Sequence, residues 1–534
     1  MYINRFDILS AQSSIYVSFC APYVSTNGGL VTENWFDLNA SRYTASSTLQ
    51  RMELLKTGYM GTLSLGWDNY LFLELTGRQE RSSTLKDQSF FYPSANLSFL
   101  FSNAFRMPAW WNHGKLRLSY GVVGNAPETY AANIIYEQGS DNGFTWNYVP
   151  SSWGNANIRP EKKYEYEIGF ESKFLNNRLG FDVSYYNNRV KDQILSTPQP
   201  STSGVKYVLM NVGEVANEGW DISVSATPVL TKNFRWDLTA NYGIYRNKVV
   251  KLADGVPYLE ISNIGGGGAK IQAVEGRPMG DIYVQVPQMN ENGEYLVSDK
   301  GLYMNQTELQ RVGNINPDGV GGLFSSFSYK NIFLDFSIDF RIGGDVINEM
   351  YQYSTASGLT PESLQFRDTE HGGLSYYYPG NNNASGVPVQ VDPSLGAGPN
   401  GETVYHDGVI LPGVVASTGE KNTRIIPAGY YYNQTYNWGT QPEQLTYRHS
   451  VFDNSYVKLR ELTIGYQFPE KLISKLGMTR LSVSVFGRNL FYFYKALKNY
   501  DAESSVGTSW ASQAVVGGST TATRNFGVSL RASF

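Results

Sequence analysis

Cysteine is nearly missing from this chain. Cys20 stands alone among 534 residues, so no internal disulfide can staple the fold. No run of eighteen apolar residues occurs, which excludes a membrane-spanning helix. No excess of basic charge exists either. The 43 Lys and Arg face 47 Asp and Glu, a formal net charge of −4, and that balance argues against a nucleic-acid partner. The opening MYINRFDILSAQSS lacks the basic-then-apolar order of a secretory leader. Either the chain is cytosolic or it is the later part of a longer precursor, and the strand pattern below favours the second. Histidines number only four, His113, His371, His406 and His449, scattered without metal-ligand spacing; they read as solvated loop residues. The run GGGG at 265–268 lacks the strand-before, helix-after setting of a phosphate loop.

Aromatics and glycine are plentiful: 39 Tyr, 27 Phe, 10 Trp and 53 Gly. They serve a repeated template, clearest at the C-terminus. In RNFGVSLRASF (524–534), Phe526, Val528, Leu530, Ala532 and Phe534 share one parity, with Gly527, Ser529, Arg531 and Ser533 on the other. Such alternation marks a strand with one greasy and one polar face. The pattern recurs along the chain. Leu63, Leu65 and Trp67 turn at Asp68-Asn69 into Leu71, Leu73 and Leu75, a turn signal of the primed hairpin type. Tyr164, Tyr166, Ile168 and Phe170 oppose Glu165, Glu167 and Glu171, turn at Asn176-Asn177, and continue as Phe181, Val183 and Tyr185 against Asp182. Further hairpins turn at 231–233, with Asp221 and Asp237 on the polar face, and at Lys330-Asn331, with Asp335 and Asp339 there. Parity slips near Arg460, as a β-bulge would make it. About fourteen strands fit, counting a weak one at 14–20 that a polar segment follows to about 50.

The connections alternate in length. Those near 68, 102–114, 176, 231, 330 and 469–479 are short; those at 81–90, 125–160, 196–218, 252–321, 344–455 and 494–523 are longer, and no periodicity runs through 344–455. In an up-and-down sheet alternate connections emerge at opposite ends, so tight turns share one rim and long loops the other. That asymmetry marks an outer-membrane barrel; a soluble all-β array is the rival reading. In lipid every backbone polar group must be paired, so a spanning sheet closes on itself. Its outer face, with Val528, Leu530 and Phe534, meets lipid and is what membrane assembly handles. Its inner face lets Glu165, Glu167, Glu171, Asp182, Asp335 and Asp339 line a wet lumen. Trp67, Trp110, Trp111 and Tyr466 suit interfacial girdles.

Four stretches carry a specific resemblance: 159–195 (RPEKKYEYEIGFESKFLNNRLGFDVSYYNNRVKDQIL), 211–225 (NVGEVANEGWDISVS), 312–348 (VGNINPDGVGGLFSSFSYKNIFLDFSIDFRIGGDVIN) and 457–493 (VKLRELTIGYQFPEKLISKLGMTRLSVSVFGRNLFYF). The chain resembles the SusC/RagA type of TonB-dependent outer-membrane transporter. The resemblance implies a Gram-negative outer membrane and a 22-strand transmembrane antiparallel barrel with an N-terminal plug. It also implies coupling to TonB, a SusD-like surface lipoprotein as lid, and uptake of glycans or peptides. Measured against that family, 1–534 reads as a C-terminal barrel fragment of about fourteen strands, without plug or TonB-contacting segment and unable as it stands to couple. Its long extracellular loops are then 125–160, 252–321, 344–455 and 494–523. At 290–294, NENGE replaces an acidic calcium-type segment with Asn at 290 and 292, so no metal or other cofactor is expected.

No catalytic constellation is expected. A plugless barrel with a structural or adhesive role is the functional alternative, and a soluble glycan-active β-protein a third. Loop aromatics are the recognition candidates: Trp146, Trp153, Tyr376, Tyr377, Tyr378, Tyr430, Tyr431, Tyr432, Trp438 and Trp510. Such rings stack on sugars, anchor protein interfaces or pack against one another, and the sequence leaves the three open.

Overall fold

The computed structural model describes residues 10–19, 23–31, 41–48, 51–85, 89–141, 144–437, 447–518 and 522–534, with side chains from 53 onward apart from a few loop positions. Trp438 and Cys20 lie outside the described residues. Contacts divide the chain into two compact units, Met1–Val224 with Asn247–Pro257, and Ser225–Arg246 with Tyr258–Phe534.

In the first unit, β1 (Ser10–Phe19) pairs with β4 (Arg51–Trp67), and the chain between them forms its own hairpin, β2 (Tyr23–Leu30) with β3 (Ser41–Thr48). The segment expected to be merely polar up to residue 50 is therefore a hairpin. The wall continues through β5 (Leu71–Ser82), β6 (Ser89–Phe99), β7 (Trp111–Asn125), β11 (Glu161–Phe174) and β12 (Leu179–Pro198), each antiparallel to the one before, and then the first part of β13 (Tyr207–Leu230), hydrogen-bonded to β12. A short helix, α1 (Phe101–Ala104), fills the β6–β7 connection. The long β7–β11 connection carries β8 (Glu137–Asp141) and β9 (Phe144–Tyr148), a two-stranded hairpin, and then β10 (Ser152–Trp153), which lies parallel against β13.

The second unit continues from the end of β13 through β14 (Phe234–Lys251), β20 (Gly319–Tyr329), β21 (Ile332–Ile342), β29 (Tyr456–Gln467), β30 (Arg480–Lys495) and β32 (Asn525–Ser533). Fourteen long strands thus follow one another in chain order, matching the number that alternation gives. One connection is shorter than expected. β12 runs to Pro198 and β13 begins at Tyr207, so strand pairing consumes most of 196–218. Trp111 opens β7 instead of ending a loop, and its indole N–H donates to Ser172 at 2.5 Å.

Register shows why alternation was the right signal. In the first unit Leu65, Leu73, Leu97, Leu118, Ile168 and Tyr185 sit opposite one another from strand to strand, an unbroken apolar row. The neighbouring row reads Ser64, Glu74, Asn96, Ser119, Glu167 and Tyr186. In the second unit Trp236, Phe327, Leu334, Ile464, Val485 and Val528 form the apolar row. Its polar neighbour begins Asp237, Ser326, Asp335 and Thr463. A one-residue slip would exchange the faces, so each row fixes the register of the next strand. Several members of these rows are uncovered: Ile168 is 48% exposed, Val485 57% and Val528 73%. A face this large and this apolar needs a non-aqueous neighbour.

The tight turns are built from residues that tolerate positive φ. Asp68 and Asn69 sit at +50° and +59°, Asn176 and Asn177 at +59° and +63°, and Lys330 at +53°. Aromatics crowd the strand ends beside these turns: in the first unit Trp110 stacks on Trp111 at 5.9 Å and on Phe174 at 5.9 Å, and in the second Tyr466 meets Phe468 edge-on at 5.2 Å. The β29–β30 connection holds the expected helical turn, α4 (Glu470–Ile473), closed by Gly477 at φ +70°.

The long connections of the second unit are not open loops but a folded layer. β15 (Tyr258–Ile264), β16 (Ala269–Val274), β17 (Asp281–Val284) and β19 (Gln310–Asn314) form a small sheet. β18 (Leu296–Val297) lies parallel to β26 (Val414–Val415). β22 (Asp345–Asn348) leads into α2 (Glu349–Ala356) and pairs with β28 (Val451–Asp453) and with β31 (Val515–Val516). β23 (Leu374–Tyr377) pairs with β24 (Val389–Gln390) and β25 (Val404–Val409), which meets β27 (Ile426–Pro427) ahead of α3 (Ala428–Tyr436). The segment 344–455 escaped periodicity because its strands are two to six residues long, too short to alternate visibly. A core of Ile271, Ile282, Val284, Ile347, Tyr447 and Val515 holds the layer together. Asp281, fully buried, ties it electrostatically: Arg277 approaches at 2.6 Å, Arg311 at 2.9 Å and the Asn314 amide at 2.9 Å. Buried charge is tolerable when paired this completely.

Val485→Arg, on the apolar row, should lower the stability of the inserted protein by about 2–4 kcal/mol if it sits near the bilayer midplane, while Ser484→Arg on the other face changes it little. Denaturant titration in lipid or detergent reads the difference, and equal costs would refute the facing. Glu349, half-buried at the start of α2, has its carboxyl pushed above the ordinary range by burial. A raised carboxyl favours the folded layer fully below its unfolded value of about 4.3, and that contribution is lost as pH rises through the raised value. Glu349→Gln should therefore raise the unfolding midpoint of the layer at neutral pH and leave it unchanged in acid.

Candidate binding surface at the long-connection rim

The polar face of the wall carries its charges in pairs. Arg117 lies between two carboxylates, 2.6 Å from Asp182 and 3.5 Å from Glu171, and His113 reaches Glu171 at 3.6 Å. His113 is therefore a wall residue on β7, not a solvated loop residue. Glu165 takes Lys163 at 2.6 Å and the Asn188 amide at 3.1 Å. Glu167 sits opposite Ser119 and Tyr186. Asp335 accepts from Ser326 at 2.6 Å, and Asp339 is held by Arg460. Arg460 is the extra residue of a bulge, as the parity slip implies: against β21, Ser337 pairs with Glu461 and Ile338 with Leu459, and Arg460 is passed over. The acidic half of this lining is visible as alternation. The basic half is not, because Arg117 and Arg460 come from strands whose neighbours only the register reveals.

The loop aromatics divide by exposure. Trp146 lies in β9, where every residue is exposed, and its ring spreads over Gly139, the residue opposite it. A side chain at Gly139 would collide with that indole at 2.8 Å. Phe144, 78% exposed, and Tyr148 stand beside it. Trp153 is half-buried in β10. Tyr376 does not present itself for contact. It is 2% exposed, stacks on Tyr405 at 5.4 Å and donates its hydroxyl to Asp407 at 3.0 Å. Tyr377 covers Gly398. Tyr431 packs between two clusters of the layer, Tyr432 is buried in one of them, and Tyr430 packs against the other. Trp510 packs over Gly280 and keeps an exposed edge. Self-packing thus claims Tyr376, Tyr431 and Tyr432, while Trp146 remains available.

The structure adds a site that the sequence did not flag. Within 343–455, a cavity of about 510 Å³ opens between the C-terminal end of α2, β25 and the first turn of α3. Arg367, Tyr405, His406, Asp407 and Tyr432 line it, with Ser357 and Ser363. Each polar group is oriented by a neighbour. Arg367 donates to the Gly358 carbonyl at 3.0 Å, Ser363 to the Thr360 carbonyl at 2.6 Å, and the Tyr432 hydroxyl to the Glu362 carbonyl at 2.8 Å. Burial, then the Asp407 charge, pushes the Tyr376 phenol far above its ordinary range, so it remains a donor that steadies Asp407 from behind. Burial likewise raises the Tyr432 phenol. No single residue here forms a motif; Tyr405-His406-Asp407 alternate on one short strand in a Gly- and Pro-rich stretch, and only folding brings Arg367 and Tyr432 to them.

The arrangement can hold hydroxyl-rich or mixed-charge ligands. Ser375 and His406 are 2.8 Å apart, but Ser375 is buried and cannot reach a substrate in the cavity. Among the described residues no three His, Cys, Asp or Glu side chains converge on a metal-sized point. At 290–294 the loop closes on itself, Asn290 donating to the Glu294 carboxylate at 2.9 Å.

Residues 14–282, half of the chain, match the family model described as TonB dependent receptor-like, beta-barrel. The chain is 22% identical over 529 residues to TonB-dependent receptor P3 of Formosa agariphila, covering 90% of this chain and 44% of that protein. It is 27% identical over 256 residues to TonB-dependent receptor SusC of Bacteroides thetaiotaomicron, covering 42% of this chain and 24% of that one. Its fold matches a solved RagAB peptide transporter with a TM-score of 0.65 at 18% identity, over 91% of this chain and 48% of that chain. The chain therefore spans less than half the length of these relatives. Alternating faces, the connection pattern and these matches agree: the chain belongs to the TonB-dependent receptor β-barrel family, a family of outer-membrane receptors and not of enzymes.

Proposed function

We propose that the chain forms the C-terminal wall and the outer loop layer of an energy-coupled importer that captures oligosaccharides at its long-connection rim. The cavity at Arg367, Tyr405, His406 and Asp407 carries this reading. It sets a guanidinium, a carboxylate and an imidazole of mixed sign beside two tyrosine walls, in a space of about 510 Å³. Neutral polyols suit such a site. Their hydroxyls donate to Asp407 and accept from Arg367, and their CH faces lie on Tyr405. Transport then depends on TonB through the whole protein, and a SusD-like surface lipoprotein closes over the loops. The exposed hairpin β8–β9, with Phe144, Trp146 and Tyr148, is the surface we assign to that lipoprotein, because apolar rings left bare on a marginally stable hairpin need a cover.

In the full-length protein, Asp407→Asn should weaken binding of the best ligand from a neutral oligosaccharide panel by about tenfold, since a charged acceptor contributes more than a neutral one. Calorimetry on purified protein reads the change, and unaltered affinity would remove the cavity from the binding path. Loss of TonB should abolish growth on that oligosaccharide as sole carbon source. For the lid, Phe144→Ala with Trp146→Ala should lower co-purification of the lipoprotein by an amount typical of anchor residues, about 2 kcal/mol or more in affinity. Full co-purification would move the interface elsewhere on the rim.

A further inference from the structure

The apolar face of the wall does not stay apolar to its end. β11 and β12 pair without a bulge from Phe174 and Leu179, beside the tight turn, to Lys162 and Lys191 at the far end. Parity therefore holds along both strands. One face runs through Phe170 opposite Val183, Ile168 opposite Tyr185 and Tyr166 opposite Asn187. It continues as Tyr164 opposite Arg189 and closes with Lys162 opposite Lys191. The other face is the polar lining, where Lys163 bonds Glu165 at 2.6 Å. Lys162, Arg189 and Lys191 thus stand on the lipid-compatible side, in line with exposed Ile168 and Tyr166.

The order of residues on that face is the order of a membrane interface. Phe, Ile and Val come first, then tyrosines, then cations. Tyrosine suits the boundary between hydrocarbon and headgroups, and lysine reaches past it, its stem on apolar surface and its ammonium in the polar layer. Length agrees. Phe174, at the other end of β11, stacks with Trp110 in an aromatic cluster that suits the opposite boundary. From Phe174 to Lys162 a strand covers about 40 Å, which at a tilt of about 40° is about 30 Å along the membrane normal. The hydrocarbon core is about 30 Å thick. The two ammonium groups therefore fall at the phosphate level of the leaflet at the long-connection end.

Charge pairing sets these two lysines apart. Like charges directly opposite each other on a ladder repel, and the β11–β12 ladder has two such pairs. Glu171 opposes Asp182, and Arg117 of β7 lies between them, 3.5 Å from one and 2.6 Å from the other. Lys162 opposes Lys191, and among the described residues no carboxylate comes within 4 Å of either. The nearby acid is already engaged: Glu214 holds Arg189 at 3.1 Å. One pair has its counter-ion from the chain, and the other does not.

We propose that Lys162 and Lys191 form a two-point clamp for the phosphate of a membrane-lipid headgroup, the anion standing between them as Arg117 stands between Glu171 and Asp182. Phosphate oxygens accept from both ammonium groups, and the acyl chains lie along Tyr164, Tyr166 and Ile168. The facing of the wall carries this, not the importer reading, and the test below stands whichever cargo the protein moves.

The measurement is native mass spectrometry on the full-length protein in detergent. Dioleoyl phosphatidic acid is the anionic probe, dioleoyl phosphatidylcholine the zwitterionic one and inorganic phosphate the free anion. Lys162→Gln with Lys191→Gln should weaken phosphatidic acid binding by about tenfold, the loss expected when charge-assisted bonds become neutral ones. Phosphatidylcholine binding should be the same in wild type and double variant. Lys163→Gln, one residue away on the lining face, should leave phosphatidic acid binding unchanged. Thermal unfolding gives a reading that a merely structural role would not move. Lys191→Glu turns repulsion into attraction, so it should raise the midpoint without lipid and remove the rise that phosphatidic acid gives the wild type. That variant decides if the double variant fails to accumulate. Equal phosphatidic acid affinity in wild type and double variant would overturn the clamp. An equal loss in Lys163→Gln would overturn the facing. An equal loss of phosphatidylcholine would reduce the site to acyl-chain contact. Displacement of phosphatidic acid by equimolar inorganic phosphate would make the occupant a free anion and overturn the lipid.

Discussion

Everything in this structure depends on the pairing of main-chain hydrogen bonds between strands that each have one apolar and one polar side. Pairing alone would leave register free, because backbones are nearly alike. The side-chain rows remove that freedom. Leu65, Leu73, Leu97, Leu118 and Ile168 stay level across successive strands only if each strand keeps its register, and a slip by one would send Glu74 and Glu167 to the apolar side. The same two-sidedness separates chemistry. Lipid-compatible residues, polar lining and ion pairs are sorted by parity before any loop is placed.

Much of the wall was legible for that reason. Alternation is a local property, and it fixed the strand number, the tight turns at Asp68-Asn69, Asn176-Asn177 and Lys330-Asn331, the helical turn after β29 and even the bulge at Arg460. Errors arose where local signal and pairing diverge. The 196–218 stretch read as a loop because Gly, Pro and Ser interrupt its alternation, yet neighbours on both sides extend the pairing through most of it. The β2–β3 hairpin was missed because a polar hairpin shows no greasy face.

The loop layer was nearly illegible, and for a different physical reason. Its stability comes from a compact core assembled from segments as distant as 271, 347 and 515, each too short to show a period. Loop aromatics stand out as a class in the sequence, but exposure, not identity, decides which of them can touch a ligand. Tyr376 and Trp146 look equivalent in sequence; one is a buried strut behind Asp407 and the other stands bare on a hairpin. The cavity at Arg367 and Asp407 depends on the α2, β25 and α3 segments meeting, which no spacing announces.

The segregation of connections has one more consequence. At Asp68-Asn69, Asn176-Asn177 and Lys330-Asn331 the turn is two to four residues whose φ angles suit the strands they join, so a single inserted residue there disturbs both register and facing. On the opposite rim, whole subdomains hang between strand ends that need only stay about 5 Å apart. The long connections can therefore lengthen, shorten or be exchanged without renegotiating the wall beneath them, while the tight turns are held to a nearly fixed text.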